Sequence, residues 1–152
     1  MSDVSRGFTY GLRQVILQSA DGLKTATLPA ARTLTYEEEF ITDDLDGNDV
    51  TVSTVAFPKK LNWELEDGGV SLAVLEILTG ETVTLTGTSP DQIEELVRNA
   101  GTSSPYFKIL GRSLGDSGDS IHVIIPKAKV TSLEGAFEQE SFTLTKCGGT
   151  AI

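Results

Sequence analysis

Threonine alternates with Val, Leu and Phe in short runs along most of this chain, and that period of two commits it to strands. Eighteen of the 152 residues are Thr, a β-branched residue that suits a pleated, half-buried surface. Strands are expected at Leu12–Gln18, Thr33–Ile41, Val50–Ala56, Leu61–Glu66, Thr82–Gly87, Tyr106–Leu110, Ile121–Val130 and Ala136–Thr145. The segments between them hold Asp-Gly, Gly-Gly or Pro, which are turn chemistry. Two stretches break the alternation. Val70–Leu78 is a continuous apolar run bounded by Gly68-Gly69 and Gly80, and is expected as a short buried helix. Ser89–Ala100 is expected as a second helix: Ser89 and Gln92 match a capping box, Pro90 occupies the first helical position, Gly101 can end it, and Ile93, Leu96 and Val97 form its apolar face.

With 39% hydrophobic residues the chain can bury a core, and its length suits one domain over residues 1–152. The expected architecture is mainly β, an antiparallel sandwich or part-barrel with a short flanking helix and a long projecting hairpin. The hairpin is where the charge lies. Twelve basic against 22 acidic residues give a net of −10, and ten of those acids fall between Glu37 and Asp67 against only Lys59 and Lys60. A surface of that sign repels phosphate backbones and anionic membranes. The acidic block covers a hairpin from Thr33 to Glu66 with Asp43–Asp49 at its tip, longer than a small sandwich needs for itself. Cys147 is the only cysteine, so no intramolecular disulfide forms and a cytosolic origin is expected. Met1–Tyr10 has no basic segment followed by an apolar one, and apolar runs elsewhere are short, so neither signal peptide nor membrane span is expected.

Candidate chemistry is sparse. Gly111-Arg112-Ser113-Leu114-Gly115 fits G-x-S-x-G, but that nucleophile elbow needs a helix after the Ser, and a strand follows here. The only histidine, His122, lies inside that strand, where a sheet residue with one satisfied nitrogen is expected. Aligning Gly47 with the glycine of a calcium loop puts Asp44 and Asp46 on ligand positions but leaves Thr42 first and Ser53 last, where a bidentate Glu is needed. A solvated acidic turn is expected instead. One His and one Cys do not complete a zinc site, and no Gly-Lys-Ser/Thr makes a phosphate loop. Glu64/Glu66 and Glu138/Glu140 share sheet faces by their spacing, without an opposed wall to make a hydrolytic pair. No cofactor, metal or catalytic group is therefore expected. Trp63 alternates with Leu61 and Leu65 and reads as core, with an exposed sugar-stacking Trp as the alternative. Pro126 interrupts a regular strand and calls for an edge or a bulge.

The order of elements does resemble a known family. Leu61–Gly69 followed by Val70–Gly80, with its Ser-Leu-x-x-Leu-x-x-Leu-Thr-Gly helix, is similar to the strand, glycine turn and helix of major tail tube proteins from long-tailed, siphovirus-like bacteriophages. Tyr106–Arg112, the loop Gly115–Ser120, and Ile121–Val130 with Lys127, Ala128 and Lys129 look like the paired strands before the C-terminal strand, here Phe137–Thr145. Met1–Arg32 shows no matching segment. The resemblance implies a virion protein made in the host bacterial cytoplasm and built into the tail. Hexameric rings would stack into a tube whose strands join in one barrel, with tape-measure protein in the bore and terminator and distal-tail proteins at the ends. DNA would pass as cargo that is not bound. Under that expectation Glu37, Glu39, Glu64 and Glu66 line the lumen, or else are solvated outer charges, and Asp43, Asp44, Asp46, Gly47 and Asp49 reach the next ring. The other readings are a terminator or head–tail connector that stops at one ring, and a soluble β-sandwich module binding carbohydrate or protein.

Overall fold

The computed structural model describes residues 9–28, 30–69, 71–115, 120–136 and 144–152. The chain is mainly β. In order it forms β1 (Thr9–Ser19), β2 (Thr25–Thr27), β3 (Ala31–Gly47), β4 (Val50–Asp67), α1 (Leu72–Thr79), β5 (Val83–Thr86), β6 (Ile93–Leu96), β7 (Phe107–Gly115), β8 (Ser120–Ala136) and β9 (Leu144–Ala151). Seven strands make one antiparallel sheet in the order β2-β1-β7-β8-β9-β4-β3, and β5 pairs with β6 alone.

The sheet is rolled, and its largest side chains show why. Trp63 of β4 and Phe107 of β7 lie three strands apart in the sheet order, about 14 Å across a flat sheet. Their ring centroids are nevertheless 5.6 Å apart and perpendicular. Edge-to-face packing of two buried rings therefore pulls the halves of the sheet over one core. Val15, Leu17 and Ile109 come from one half, and Leu65, Cys147 and Ala151 from the other. β3 closes over β7 at Gly111, where an added Cβ would sit 2.8 Å from Leu34 Cδ2.

The short helix forms where the apolar run predicts it. Val74, Ile77 and Leu78 face the core, and Gly80, at φ 74°, ends α1 in the left-handed conformation with its N–H donating to the Glu76 carbonyl at 2.9 Å. Among the described residues no helix is long and apolar enough to cross a membrane. Pro126 is accommodated by a bulge: Phe107 opposes Ala128 and Ile109 opposes Ile125, so β8 carries one residue more than β7 across that step. Pro58 behaves alike, with Lys59 as the extra residue between the pairs Glu39/Lys60 and Phe40/Pro58. The two strands expected at Val50–Ala56 and Leu61–Glu66 are thereby one continuous β4.

The helix expected over Ser89–Ala100 is not formed. The chain turns with the Asp91 N–H donating to the Thr88 carbonyl at 2.8 Å, then runs as β6 against β5. Thr84 and Thr86 hydroxyls donate to the carbonyls of Glu95 and Ile93. Ser, Pro and Asp begin helices and make turns with equal ease, and here the β-branched partner Val83–Thr86 decides. The supposed apolar face is not packed, for Ile93 and Val97 are exposed. The strand expected at Ala136–Thr145 also needs correcting: Ala136 ends β8, and the last strand runs Leu144–Ala151, while residues 137–143 lie outside the described residues, as do Glu138 and Glu140. Residues 116–119 of the loop expected before Ile121, and residues 1–8 at the N-terminus, lie outside them too.

Candidate functional site

β4 changes its surroundings partway along. From Leu61 to Asp67 it is flanked by β3 and β9. From Lys60 outward to Val50 only β3 pairs with it among the described residues. This outer half of the β3–β4 hairpin is a two-stranded ribbon about 30 Å long at the usual rise per residue. Its tip is a two-residue turn, Asn48-Asp49, with φ of 55° and 62° between the paired Gly47 and Val50. Positive φ at both central residues is the turn that matches strand twist. The Thr51 hydroxyl donates to Asp46 at 2.9 Å and braces it.

The ribbon is apolar and exposed at once. Phe40, Ile41, Leu45, Val52, Val55 and Phe57 are each 43–67% exposed. Cross-strand partners share a face, so Ile41/Phe57, Asp43/Val55 and Leu45/Ser53 lie on one side and Phe40/Pro58, Thr42/Ala56 and Asp44/Thr54 on the other. Asp43, Asp44, Asp46 and Asp49 are all exposed along it. An isolated two-stranded ribbon is marginal in water, and exposed apolar surface on both faces marks a contact region.

The acids expected to act together do share a face. The pairs Thr33/Glu66, Thr35/Glu64, Glu37/Asn62 and Glu39/Lys60 place Glu37, Glu39, Glu64 and Glu66 on the side of the sheet opposite Trp63 and Leu65. Lys146 and Glu134 join them from β9 and β8, and a polar hollow of about 400 Å³ runs between. The face is less negative than the sequence suggests. Glu39 lies 3.9 Å from Lys59 and 3.5 Å from Lys60, and Arg32 is 3.8 Å from Glu66. Beneath it, burial pushes the Asp67 carboxyl above the usual carboxylate range, against the hydrogen bond it accepts from the Ala30 amide. Burial, with Asp67 adding, pushes the Cys147 thiol up to about 12. That thiol is protonated at neutral pH and is an inert core group.

The other candidates fall away from one another. Ser113 lies in mid β7 with its hydroxyl donating to the Ile121 carbonyl, so the G-x-S-x-G run is strand, not elbow. His122 sits in β8 with Nε2 3.1 Å from the Ser120 hydroxyl. Trp63 is 1% exposed, which removes it as a sugar platform. Among the described residues no three His, Cys, Asp or Glu side chains are grouped to hold a metal ion.

One feature was missed from the sequence. Ile16, Leu110 and Ile124 oppose one another across β1, β7 and β8, an apolar row on the outer face. It continues into a groove of about 310 Å³ at the ribbon root, lined by Leu61, Ile124, Pro126 and Ile152. Around the row stand Lys108, Arg112, Lys127 and Lys129, the last two with Nζ 4.8 and 5.0 Å from the Tyr106 ring centroid. Its signal was the run Ile121–Ile125, apolar at both parities apart from His122. No protein-family model matches the chain, and no curated protein matches it.

Proposed function

We propose that this chain is a structural subunit of a long-tailed bacteriophage virion, closing into hexameric rings that stack as the tail tube. The observation that carries the reading is the ribbon: about half of β4 leaves the sheet with an edge that pairs with no other strand among the described residues, and with apolar side chains on both faces. Such an edge is a template for another chain, and a contact between unlike surfaces runs head to tail, giving a ring where the rotation closes and a filament where it does not. The acid face at Glu37, Glu39, Glu64 and Glu66 is then the wall of the bore. A wall of lysines would hold a phosphate at each charge, whereas carboxylates let DNA pass. Tape-measure protein would occupy the bore before DNA, and terminator and distal-tail proteins would cap the ends. No reaction and no cofactor is assigned to the chain, and its place is the virion tail after assembly in the bacterial cytoplasm.

Negative-stain electron microscopy of the purified chain at rising concentration tests this. Tubes support the reading. Isolated rings that never stack move the chain to a terminator or connector, and single particles at every concentration leave a binding module as the better account.

A further inference from the structure

We propose that the apolar ribbon of one copy docks on the outer β7–β8 face of another, with the ribbon's aspartates set against the lysines and arginine that frame the Ile16–Leu110–Ile124 row. This rests on the assembly reading above and names the surface that receives the ribbon.

Charge picks the occupant. From Phe40 to Pro58 the ribbon carries four acids, Asp43, Asp44, Asp46 and Asp49, and no base. The strand segments Phe107–Gly115 and Ser120–Leu133 carry four bases, Lys108, Arg112, Lys127 and Lys129, and no acid. The register turns those four bases outward: Lys108 opposes Gln18, Arg112 opposes Gln14 and His122, and the lysines flanking buried Ala128 reach Tyr106. Apolar surface is matched as well. Ile41, Leu45, Val55 and Phe57 share one face of the ribbon, and the receiving row runs from Ile16 to exposed Ile124 and on into the groove beside Ile152. A chain does not satisfy its own face: Glu38, Pro58, Lys59 and Lys60 of its own hairpin line that groove, so its ribbon leaves from the receiving surface rather than returning to it. The two patches are different surfaces of one chain, and pairing them makes a head-to-tail contact.

Two charge-reversed chains test the pairing. Asp43→Lys, on the ribbon face that carries Ile41 and Phe57, alters only the ribbon, and Lys127→Glu/Lys129→Glu alters only the receiving face. Each alone sets like charges together, and the concentration needed for assembly, read by sedimentation velocity, should rise about a hundredfold. An equimolar mixture should assemble near the wild-type concentration, because each variant then finds its complement on the other. Circular dichroism checks that both remain folded, and Arg112→Glu, exposed on the same face, replaces the lysine pair if they do not. Either variant assembling alone like wild type overturns the pairing. So does a mixture of folded variants that stays dispersed while wild type assembles, an outcome that leaves the tube reading standing. Wild type that never assembles overturns both. Retention of duplex DNA by wild type, lost in Lys127→Glu/Lys129→Glu, assigns the face to nucleic acid and overturns the docking.

Discussion

The two halves of β4 are built from the same kind of sequence and live in different solvents. Inward of Leu61 the strand is covered on both edges, and it buries Trp63, Leu65 and Asp67. Outward of Lys60 it has one neighbour among the described residues, and Val52, Val55 and Phe57 face water. Hydrophobic stabilisation scales with apolar area removed from water, so the inner half holds the fold together and the outer half contributes little until something covers it. The difference separates two jobs within one strand: a body that is stable alone, and an arm whose order is completed by contact.

The sharpest way to break that division is to truncate one aromatic in each half. Trp63→Ala should cost about 3–5 kcal/mol in urea unfolding, since it removes the largest core side chain and leaves Phe107 without its edge-to-face partner. Phe57→Ala should change the stability of the unassembled chain by less than about 0.5 kcal/mol and yet suppress assembly. A large stability loss from Phe57→Ala would mean that the ribbon packs on its own body. Next in size is amide exchange. Ribbon amides from Phe40 to Phe57 should exchange fast in the dispersed chain and slow markedly on assembly, while those of Leu61–Asp67 stay protected in both. Ribbon amides protected before assembly would erase the contrast.

A smaller effect concerns the buried end of β4. The folded state holds the Asp67 carboxyl above its usual range through burial, so it binds that proton more tightly than the unfolded chain does. Asp67 therefore takes nothing from stability below the unfolded value of about 3.9. Stability is lost as pH rises from there through the folded value. Asp67→Asn keeps an oxygen for the Ala30 amide, which donates at 2.9 Å, and should flatten that loss in urea midpoints measured between pH 3 and neutrality. A wild-type slope that persists in the variant would assign the loss to other carboxylates.

The same contrast explains what the sequence made legible. Alternation at Leu61, Trp63 and Leu65 marked a strand with one buried face, and Gly80 after a Leu-rich run marked the end of α1, because in each case a local pattern and a local cause coincide. The length of the hairpin was legible from charge and turn residues, but its expected tip at Asp43–Asp49 was too wide: Asp43, Asp44 and Asp46 are paired residues of β3, and only Asn48 and Asp49 make the turn. The fate of Ser89–Ala100 was not, since capping and turn chemistry use the same side chains and the deciding strand, Val83–Thr86, lies in a different segment. The receiving face was hidden for a similar reason. Ile16, Leu110 and Ile124 become a row only through the register of β1 against β7 and of β7 against β8, and β1 lies far from the other two in the chain.

The subtlest test bears on the acid face, where inner and outer halves of the hairpin meet. Glu39 and Glu66 have basic neighbours at 3.5–3.9 Å, and exposed pairs of that length are worth little to the fold. Glu37 and Glu64 are exposed on the same face with no cation that close among the described residues, which makes them the cleaner probes. Glu37→Lys/Glu64→Lys should leave melting temperature and assembly near wild type, because neither carboxylate lies in the core or on the ribbon. If the face lines a bore, each lysine stands within a screening length of about 8–10 Å of passing phosphates and slows DNA release from reconstituted particles, with the delay fading as salt rises. Release at the wild-type rate at low salt would place these acids on the outside of the tube. The ribbon and its receiving face would keep their roles, since the contrast between arm and body does not depend on which surface the DNA meets.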